Sequence, residues 1–431
     1  MNKATLQKWS FNKERIFDYV KKFSFPRLPG TEGERKAVDL TVKTFEEIGF
    51  NKSQIEEEPF EFSDFYSTTL IKLIMMVNLT FILILVLFIY IYPIINFVII
   101  GVMVLLVVLI VRGLRHPERE DQFWAQYFGK TIQATNVFVN ITAKRLPIEK
   151  AGNIIVSAHL DSKSQTFKTS WRMVLYRVWL FSSILFGGFY IGIILQNLGI
   201  FQLEILILNI IILILVVLIS LSNILLMFLN THNESPGALD NASGMAIVFE
   251  LASYFKLTTP LDNFNLWFCQ FSGEELGTMG SRVFTNNHED QFVKNEVFQI
   301  NLDMVSSAKH KKKKNRVQYL KSYGILPRRK ISPLLGNYLK KAALEENLKI
   351  CGFHLSTGAH SDTVPFHLRK YNAVDICTRA AAKFTHNKVD TPDKVDPRVL
   401  LETCVIVRKA ILMLDKDYTI LCKKRKVGKE E

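Results

Sequence analysis

The sequence predicts an α/β fold: a mixed, largely parallel sheet flanked by helices and interrupted by two transmembrane helical hairpins. Two observations support this prediction. Two apolar blocks, Leu73–Val111 and Val178–Leu229, are each far longer than the ~20 residues with which a helix spans a bilayer. The polar sequence outside these blocks alternates between strand-like and helix-like segments, which is typical of a sheet with substantial parallel character.

Each apolar block contains one interruption, so each is predicted to form a hairpin of two spans. Tyr92-Pro93 interrupts the first block, because proline disfavours helix at the residue before it. The polar stretch Gln196–Glu204 interrupts the second. Two buried core helices per block are the alternative, but uninterrupted apolar length is the strongest membrane signal in a sequence. We predict four spans, over about 72–91, 94–112, 178–195 and 203–228.

Lysine and arginine flank both hairpins on the same side and are missing from the two turns, which predicts a cytoplasmic location for all of the polar sequence. The opening residues carry no apolar stretch of signal-peptide length, so we expect the internal spans to direct insertion. The flanking cations are Lys72, Arg112, Arg115, Arg119, Lys168, Arg172 and Arg177.

The net charge of +14 is partly concentrated in two basic stretches, Lys309–Arg316 and the C-terminal tail "CKKRKVGK". Beside a membrane they can hold anionic lipid head groups, or they are a solvated loop and a frayed tail. No nucleic-acid recognition motif accompanies the charge, which argues against nucleic acid as a partner. The five cysteines are odd in number and form no CxxC pair, which argues against a disulfide framework and favours a reducing compartment.

Outside the hairpins we predict one domain of roughly three hundred residues, built from alternating strands and helices. The predicted strands are "NVFVNITA", "NIIVSAHLDS", "NFNLWFCQFS", "VFQINLDMV" and "AVDICTR". The predicted helices are "TEGERKAVDLTVKTFEEIGF", ended by Gly49, then "ASGMAIVFELASYF", "TMGSRVFTNN", "PLLGNYLKKAALEENL" and "PRVLLETCVIVRKAILMLDKDY".

Acidic and histidine side chains stand at the ends of several predicted strands, and in open α/β sheets sites form outside the carboxyl ends of the strands. Imidazole and carboxylate suit zinc, which takes nitrogen and oxygen ligands. Singly, each group has an ordinary explanation as a surface charge, a helix cap or a structural histidine, but the ordered series does not. The residues of the series are His159, Asp161, Asp240, Glu274, Glu275, Asp303 and His386.

Local geometry suggests different roles within the series. Residues i and i+2 of a strand share a face, so Asp161 can accept a hydrogen bond from the ring of His159 and fix its tautomer. Asp240 lies before a predicted helix, where a short carboxylate can bridge two metals. Adjacent strand residues point to opposite sides, so one of Glu274 and Glu275 can ligate while the other takes a proton from a water that the metal activates.

The series resembles that of the di-zinc peptidases of metallopeptidase family twenty-eight, which includes leucyl aminopeptidases, glutamate carboxypeptidases and glutaminyl cyclases. The segments "LPGTEGERKAVDLTVKTFEEIGF", "GAHSDTVPFH" and "HNKVDTPDKV" are also similar to family elements. The resemblance implies the zinc-exopeptidase-like phosphorylase/hydrolase fold and two zinc ions per chain. It implies that His159 and Asp303 bind one zinc, that Glu275 and His386 bind the other, and that Asp240 bridges both. It further implies that Asp161 orients His159 and that Glu274 is the general base.

The predicted hairpins divide the chain into five segments, and the resemblance assigns three of them to one peptidase domain: residues 1–71 (first part of the peptidase domain), 72–112 (hairpin 1), 113–177 (second part), 178–229 (hairpin 2) and 230–431 (main catalytic part with the basic tail). Since hairpin 2 lies between the His-x-Asp and Asp-Asn segments, we expect the site to open near the membrane and to take membrane-proximal peptides. "TGAHSD" and Arg379 lie where a specificity pocket is possible, without an assignable role.

The expected activity is that of a membrane-anchored zinc-dependent exopeptidase, with aminopeptidase as the default because it is the commonest activity in the family. A glutaminyl cyclase with a single zinc is an alternative on the same scaffold. A non-catalytic peptidase-like subunit of a membrane complex is another, although such a subunit would tolerate lost ligands and here all are intact. A transporter is disfavoured, because the spans carry almost no ionisable residues. The ligands would also accept cobalt or manganese.

Overall fold

The computed structural model describes residues 10–89, 93–113, 129–200, 202, 204–258, 260–293, 296–307, 317–324, 328–356 and 361–421. It contains two compact units. One unit comprises residues up to Glu61, Ile132–Ser164 and the chain from His232 onward, and we call it the peptidase-like unit. The other comprises Phe62–Thr131 and Gln165–Thr231, and we call it the apolar unit.

The described strands are β1 (Ile55–Ser63), β2 (Thr131–Ile141), β3 (Gly152–His159), β4 (Ser164–Gln165), β5 (Thr231–His232), β6 (Phe264–Phe271), β7 (Val297–Leu302), β8 (Val317–Tyr323), β9 (Arg329–Lys330), β10 (Ile350–Leu355) and β11 (Asn372–Ile376). The described α-helices are α1 (Lys13–Phe23), α2 (Glu32–Ile48), α3 (Thr68–Phe88), α4 (Pro93–Gly113), α5 (Thr169–Asn197), α6 (Ile205–Met227), α7 (Ser243–Leu257), α8 (Met279–His288), α9 (Pro333–Glu345), α10 (Val364–Leu368) and α11 (Pro397–Lys416).

The main sheet is mixed and largely parallel, which confirms the predicted fold class. Its order is β1-β2-β6-β3-β7-β11-β8-β10, with β9 beside β8. Strand β3 pairs in parallel with both β6 and β7, and β11 pairs in parallel with β7. Antiparallel pairing joins β2 to β6. The strands β1, β8 and β10 were not predicted from the sequence, because their alternating or charged residues lack the continuous apolar runs of the central strands.

The central strands are buried on both faces, so their sequences are nearly continuous apolar runs. In β3 every residue is buried. Ile154 and Val156 face one core cluster with Phe249 of α7, whereas Ile155 faces the other cluster with Phe284 of α8. This alternation places helices on both sides of the sheet.

The predicted amphipathic helix near the start of the chain is α2. Its inward positions, among them Ala37, Val38 and Phe45, are buried. Gly49 ends the helix with φ +108°, a left-handed conformation that glycine adopts without a Cβ penalty. The predicted stop at Gly49 is therefore confirmed.

Within the part of the apolar unit that the structure describes, three helices are long and apolar enough to cross a membrane: α3, the part of α5 from Trp171 to Asn197, and α6. The fourth apolar helix, α4, contains a shorter apolar stretch, Ile95–Ile110. Helix α5 begins at Thr169, about nine residues before the predicted start near 178, because polar residues extend it beyond the apolar block. The basic stretch Lys309–Arg316 and the C-terminal tail from Cys422 lie outside the described residues, so their expected contact with anionic lipids stays a prediction.

Candidate metal centre

Three neighbouring parallel strands bring three of the candidate groups to one edge of the sheet. His159 is the last residue of β3. The pair Glu274 and Glu275 follows β6, in the helical turn Glu274–Leu276. Asp303 directly follows β7. Because β6, β3 and β7 are adjacent and parallel, their carboxyl ends meet at this edge.

Asp240 reaches the same place from the segment that precedes α7. Gly237, with φ +61°, begins this segment, and a Cβ there would lie 2.6 Å from the Asp240 carbonyl oxygen. The carboxylate of Asp390 accepts hydrogen bonds from the N–H groups of Leu239 (2.7 Å) and Asp240 (3.1 Å). Asp390 therefore holds the backbone at and just before Asp240.

Asp240 stands between the two histidines. Its Oδ1 lies 3.1 Å from Nε2 of His159, and its Oδ2 lies 3.2 Å from Nε2 of His386. The same nitrogen of His159 lies 3.4 Å from Oδ1 of Asp303, and that of His386 lies 3.0 Å from Oε2 of Glu275. Two groups of three ligands thus share Asp240. We call His159–Asp240–Asp303 the first position and Asp240–Glu275–His386 the second position.

The donor atoms fit zinc at both positions. Two ligand atoms that each lie ~2.1 Å from a tetrahedral zinc are about 3.4 Å apart, close to the spacing of the four contacts. Nε2 of His159, Oδ1 of Asp303 and Oε1 of Glu275 are buried and have no hydrogen-bond partner within the part of the chain that the structure describes. Buried polar atoms normally have partners, so these three are suited to a cation.

The electrostatics of the carboxylates differ within the site. Burial raises the pKa of Asp240, but the rings of His159 and His386 beside its two oxygens outweigh burial and hold this pKa well below its usual range. Burial raises the pKa of Asp303 to about 6. Burial also raises the pKa of Glu275, but the neighbouring His386 and Lys163 lower it by more, and the resulting pKa is about 2. The bridging carboxylate and Glu275 are therefore the groups most strongly held in the ionised form that a metal requires.

Glu274 belongs to neither group of ligands, although it is adjacent to Glu275 and also buried. Burial raises the pKa of Glu274 well above its usual range, and the charge of Glu275 raises it further. A carboxyl group with a raised pKa, beside a metal position and not committed to ligation, is suited to accept and return a proton.

Asp161 lies in the site, but its contacts differ from those expected. Nδ1 of His159 is 3.1 Å from the backbone carbonyl oxygen of Asp161 and 3.7 Å from its carboxylate. The carboxylate instead accepts hydrogen bonds from the N–H groups of Glu274 (3.2 Å) and Glu275 (3.0 Å). The reason is that β3 ends at His159, so the rule that residues i and i+2 share a face does not extend to Asp161.

The sequence analysis did not identify Arg27, a fully buried cation that joins three segments of the site. Its guanidinium donates to the carbonyl oxygens of Leu160 (2.6 Å), Pro236 (2.7 Å) and Gly237 (2.9 Å). It thereby links the residues that follow His159 with those that precede Asp240, across the insertion that separates them. Burial lowers the pKa of Arg27 to about 10.

Two further residues were also not identified. Asp390 lies inside the segment "HNKVDTPDKV". Its position four residues after His386 is the one sequence feature that could have indicated a role in the site. Lys163 follows Asp161 by two residues and lies 2.9 Å from Oε2 of Glu275. Nothing in the local sequence indicates this contact, because the two residues are distant in the chain.

The candidate specificity residues are only partly described. Ser361 and Asp362 are buried, and burial raises the pKa of Asp362 to about 7. Arg379 is exposed, and its backbone N–H donates to the side chain of Gln318. Residues 357–360 lie outside the described residues. No substrate contact is assigned to any of these groups.

Comparison with known proteins agrees with this geometry. The model of the family described as "Peptidase family M28" matches residues 225–411, which include all predicted ligands except His159. Aminopeptidase YwaD of Bacillus subtilis is 28% identical over 148 residues. A probable zinc metalloprotease of Pyrenophora tritici-repentis is 36% identical over 81 residues. The alignments cover 33% and 19% of this chain and 30% and 18% of these relatives, so the chain matches under a third of the length of either.

Solved structures share the fold over nearly the whole chain. An aminopeptidase from Aneurinibacillus sp. strain AM-1 superimposes with a TM-score of 0.53 and 14% identity, covering 93% of each chain. A glutaminyl cyclase from Fimbriiglobus ruber superimposes with a TM-score of 0.52 and 15% identity, covering 94% of this chain and 96% of the other. The ligand groups at this sheet edge and the family match across most of them agree, and residues 225–411 are thus similar to peptidase family M28.

Proposed function

We propose that this chain is a membrane-anchored, zinc-dependent exopeptidase, and specifically an aminopeptidase. The observation that carries the proposal is the pair of complete ligand groups that share Asp240, with the unligated carboxyl group of Glu274 beside them. Two relatives are named as an aminopeptidase and as a probable zinc metalloprotease, which supports the same chemistry.

In the proposed reaction, zinc and two residues of the site have separate tasks. Zinc, when bound at the two positions, would polarise the scissile carbonyl and lower the pKa of a water molecule. Glu274 takes a proton from the attacking water and returns it to the nitrogen of the leaving amine. Asp161 holds the backbone of Glu274 and Glu275, so the base and the ligand keep a constant spacing.

The test is a comparison of Glu274→Gln with Asp240→Ala. Glu274→Gln removes the base but no ligand, so turnover should fall by roughly 10²- to 10⁴-fold while zinc content stays at the wild-type level. Asp240→Ala removes the shared ligand, so zinc content itself should fall. Metal analysis of detergent-purified protein and a panel of aminoacyl and carboxyl-terminal reporter peptides, with and without chelator, measure both properties.

Each result has a defined consequence. Activity of Glu274→Gln close to wild type would show that Glu274 is not the base. Cleavage of carboxyl-terminal reporters only would replace the aminopeptidase by a carboxypeptidase. Wild-type protein that holds zinc but cleaves no reporter would favour a non-catalytic subunit.

A glutaminyl cyclase is a second candidate, because a cyclase shares the fold as fully as the aminopeptidase does. The cyclase chemistry is expected with one zinc, whereas both ligand groups are complete here. Two zinc ions per chain without cyclisation of glutaminyl peptides would support the peptidase. One zinc ion with cyclisation would support the cyclase.

We also propose a topology of four spans with the peptidase-like unit in the cytoplasm, based on the lysine and arginine residues that flank both hairpins. Cys351 is an exposed cysteine of this unit and serves as a natural probe. In a Cys422→Ser background, a membrane-impermeant maleimide should label Cys351 in inside-out vesicles and not in sealed right-side-out vesicles. Cys351→Ser is the control, and labelling of right-side-out vesicles would reverse the orientation.

A further inference from the structure

Lys163 contacts a predicted metal ligand directly. Its ammonium group lies 2.9 Å from Oε2 of Glu275 and donates to the backbone carbonyl oxygen of the same residue at 2.5 Å. The side chain of Lys163 is only 12% exposed, and that of Glu275 is 4% exposed. The ion pair is therefore largely shielded from water. Water and salt screen buried charges less than surface charges, so the charge of Lys163 acts strongly on its neighbours.

Among the described residues, no lysine or arginine makes such a contact with a ligand of the first position. There the group behind His159 is Asp161, whose carbonyl oxygen lies 3.1 Å from Nδ1 and whose carboxylate lies 3.7 Å away. An acceptor behind a histidine ligand makes the ring a stronger donor to a metal. The first position is thus supported by negative groups, and the second position has a positive charge within hydrogen-bond distance of one of its three ligands.

We propose that Lys163 is a positioning residue that weakens the second metal position, so that zinc fills the first position before the second. The proposal rests on the two-metal site of the proposed function. It identifies a residue of this chain that sets the relative occupancy of the two positions.

Lys163 has two opposing effects on a cation at the second position. It restrains the carboxylate of Glu275, which favours binding because fewer rotamers have to be frozen. It also repels a divalent cation and competes for the lone pairs of Oε2, which disfavours binding. Oε2 already has His386 Nε2 at 3.0 Å in addition to the ammonium at 2.9 Å. Because the site is buried, the repulsion is weakly screened and we expect it to be the larger effect.

The experiment measures zinc binding to metal-free, detergent-purified full-length protein by competition with a fluorescent zinc chelator. Lys163→Met removes the charge, and Lys163→Gln removes it while keeping a donor for the carbonyl oxygen of Glu275. In both variants the second zinc should bind tighter by on the order of tenfold, with the first zinc unchanged. Lys163→Arg keeps the charge and should bind both ions as the wild type does.

Lys388→Met is the matched control. Lys388 is two residues from the ligand His386, but its side chain is 69% exposed and pairs with Glu234. Its removal should leave both zinc affinities unchanged, which would show that a lysine must contact the ligand to have the effect.

The sign of the change separates this role from structural damage. A damaged site would bind the second zinc more weakly, so weaker or unchanged binding in both Lys163→Met and Lys163→Gln would overturn the inference about Lys163 alone. Fewer than two zinc ions bound by the wild type and by both charge-removing Lys163 variants would overturn the two-metal proposal as well. Thermal unfolding of each variant shows whether it is folded, and Lys163→Gln is the variant of choice if Lys163→Met is not.

Discussion

Glu274 and Glu275 are adjacent, buried and of the same charge, a combination that is unfavourable unless each carboxylate is compensated. Asp161 adds a third carboxylate, which binds their two N–H groups. Lys163 compensates part of this negative charge at Glu275, and bound zinc would compensate the rest of it. At the residue scale, the site is therefore a cluster of acids whose stability depends on cations.

Glu34 of α2 is a buried carboxyl group outside the ligand groups, and it allows a prediction on pH dependence. Its Oε1 accepts hydrogen bonds from Ser272 Oγ (2.9 Å) and from the N–H of Thr135 (3.2 Å). Burial raises the pKa of Glu34 to about 7. A raised pKa means that ionisation is disfavoured in the folded state, so this group lowers stability as the pH rises from about 4.5 through 7.

Glu34→Gln should therefore raise the free energy of unfolding at pH 8 by roughly 2 to 3 kcal/mol, because the amide oxygen can accept both hydrogen bonds without a charge. At pH 5 the gain should shrink to below about 1 kcal/mol, since most of the wild-type penalty is then absent. Thermal unfolding in detergent at both pH values measures the difference. A gain of equal size at both would contradict the assigned role of ionisation.

At the element scale, the position of the site follows from the order β6-β3-β7 in the sheet. Each of these strands was recognisable in the sequence as an apolar run, and each candidate group was recognisable at its end. The contact between the histidine and aspartate of the His-x-Asp segment was not predictable, because the end of β3 depends on pairing with neighbouring strands.

The apolar unit contains a polar contact that joins three helices. Oδ1 of Asn78 in α3 accepts hydrogen bonds from Trp179 Nε1 of α5 (3.1 Å) and from Asn223 Nδ2 of α6 (2.9 Å). Asn223 is fully buried. Hydrogen bonds between apolar helices fix their register, because few other groups there can replace a lost partner.

Asn78→Leu should destabilise the apolar unit by about 1 kcal/mol, since it leaves the donors of the buried Asn223 and the half-buried Trp179 without their acceptor. Thermal unfolding of variant and wild type in detergent measures the change. Thr80→Val is the control, because Thr80 lies on the same helix, is exposed, and its hydroxyl donates to the carbonyl oxygen of Met76 within that helix. Equal melting of Asn78→Leu and wild type would show that the contact does not join the helices.

At the scale of the whole molecule, the two insertions leave and re-enter the peptidase-like unit at neighbouring points. Glu61 accepts a hydrogen bond from the side chain of Gln133 (3.0 Å), on either side of the first insertion. Ser164 donates to the carbonyl oxygen of His232 (2.9 Å), on either side of the second. Short linkers can therefore close both gaps without moving the strands that carry the site.

Replacing residues 62–131 and 165–231 by short glycine–serine linkers should give a chain that stays monomeric in buffer without detergent and binds zinc as the full-length protein does. Size-exclusion chromatography, circular dichroism and metal analysis measure these properties. The same deletion with Asp240→Ala is the control for specific zinc binding. A deletion chain that aggregates or does not bind zinc would show that the peptidase-like unit depends on the apolar unit.

The sequence by itself determined the fold class, the apolar helices and the identity of the acidic and histidine series, because apolar periodicity and strand-end positions are local properties. The resemblance of the series to a known family already implied which groups share a metal position, and the tertiary structure decided the spacing of their atoms and which atoms of Asp161 are used. It also revealed Arg27, Lys163 and Asp390. These three residues act through contacts with segments that lie far apart from them in the chain, and no local sequence pattern encodes the distance between the atoms in contact.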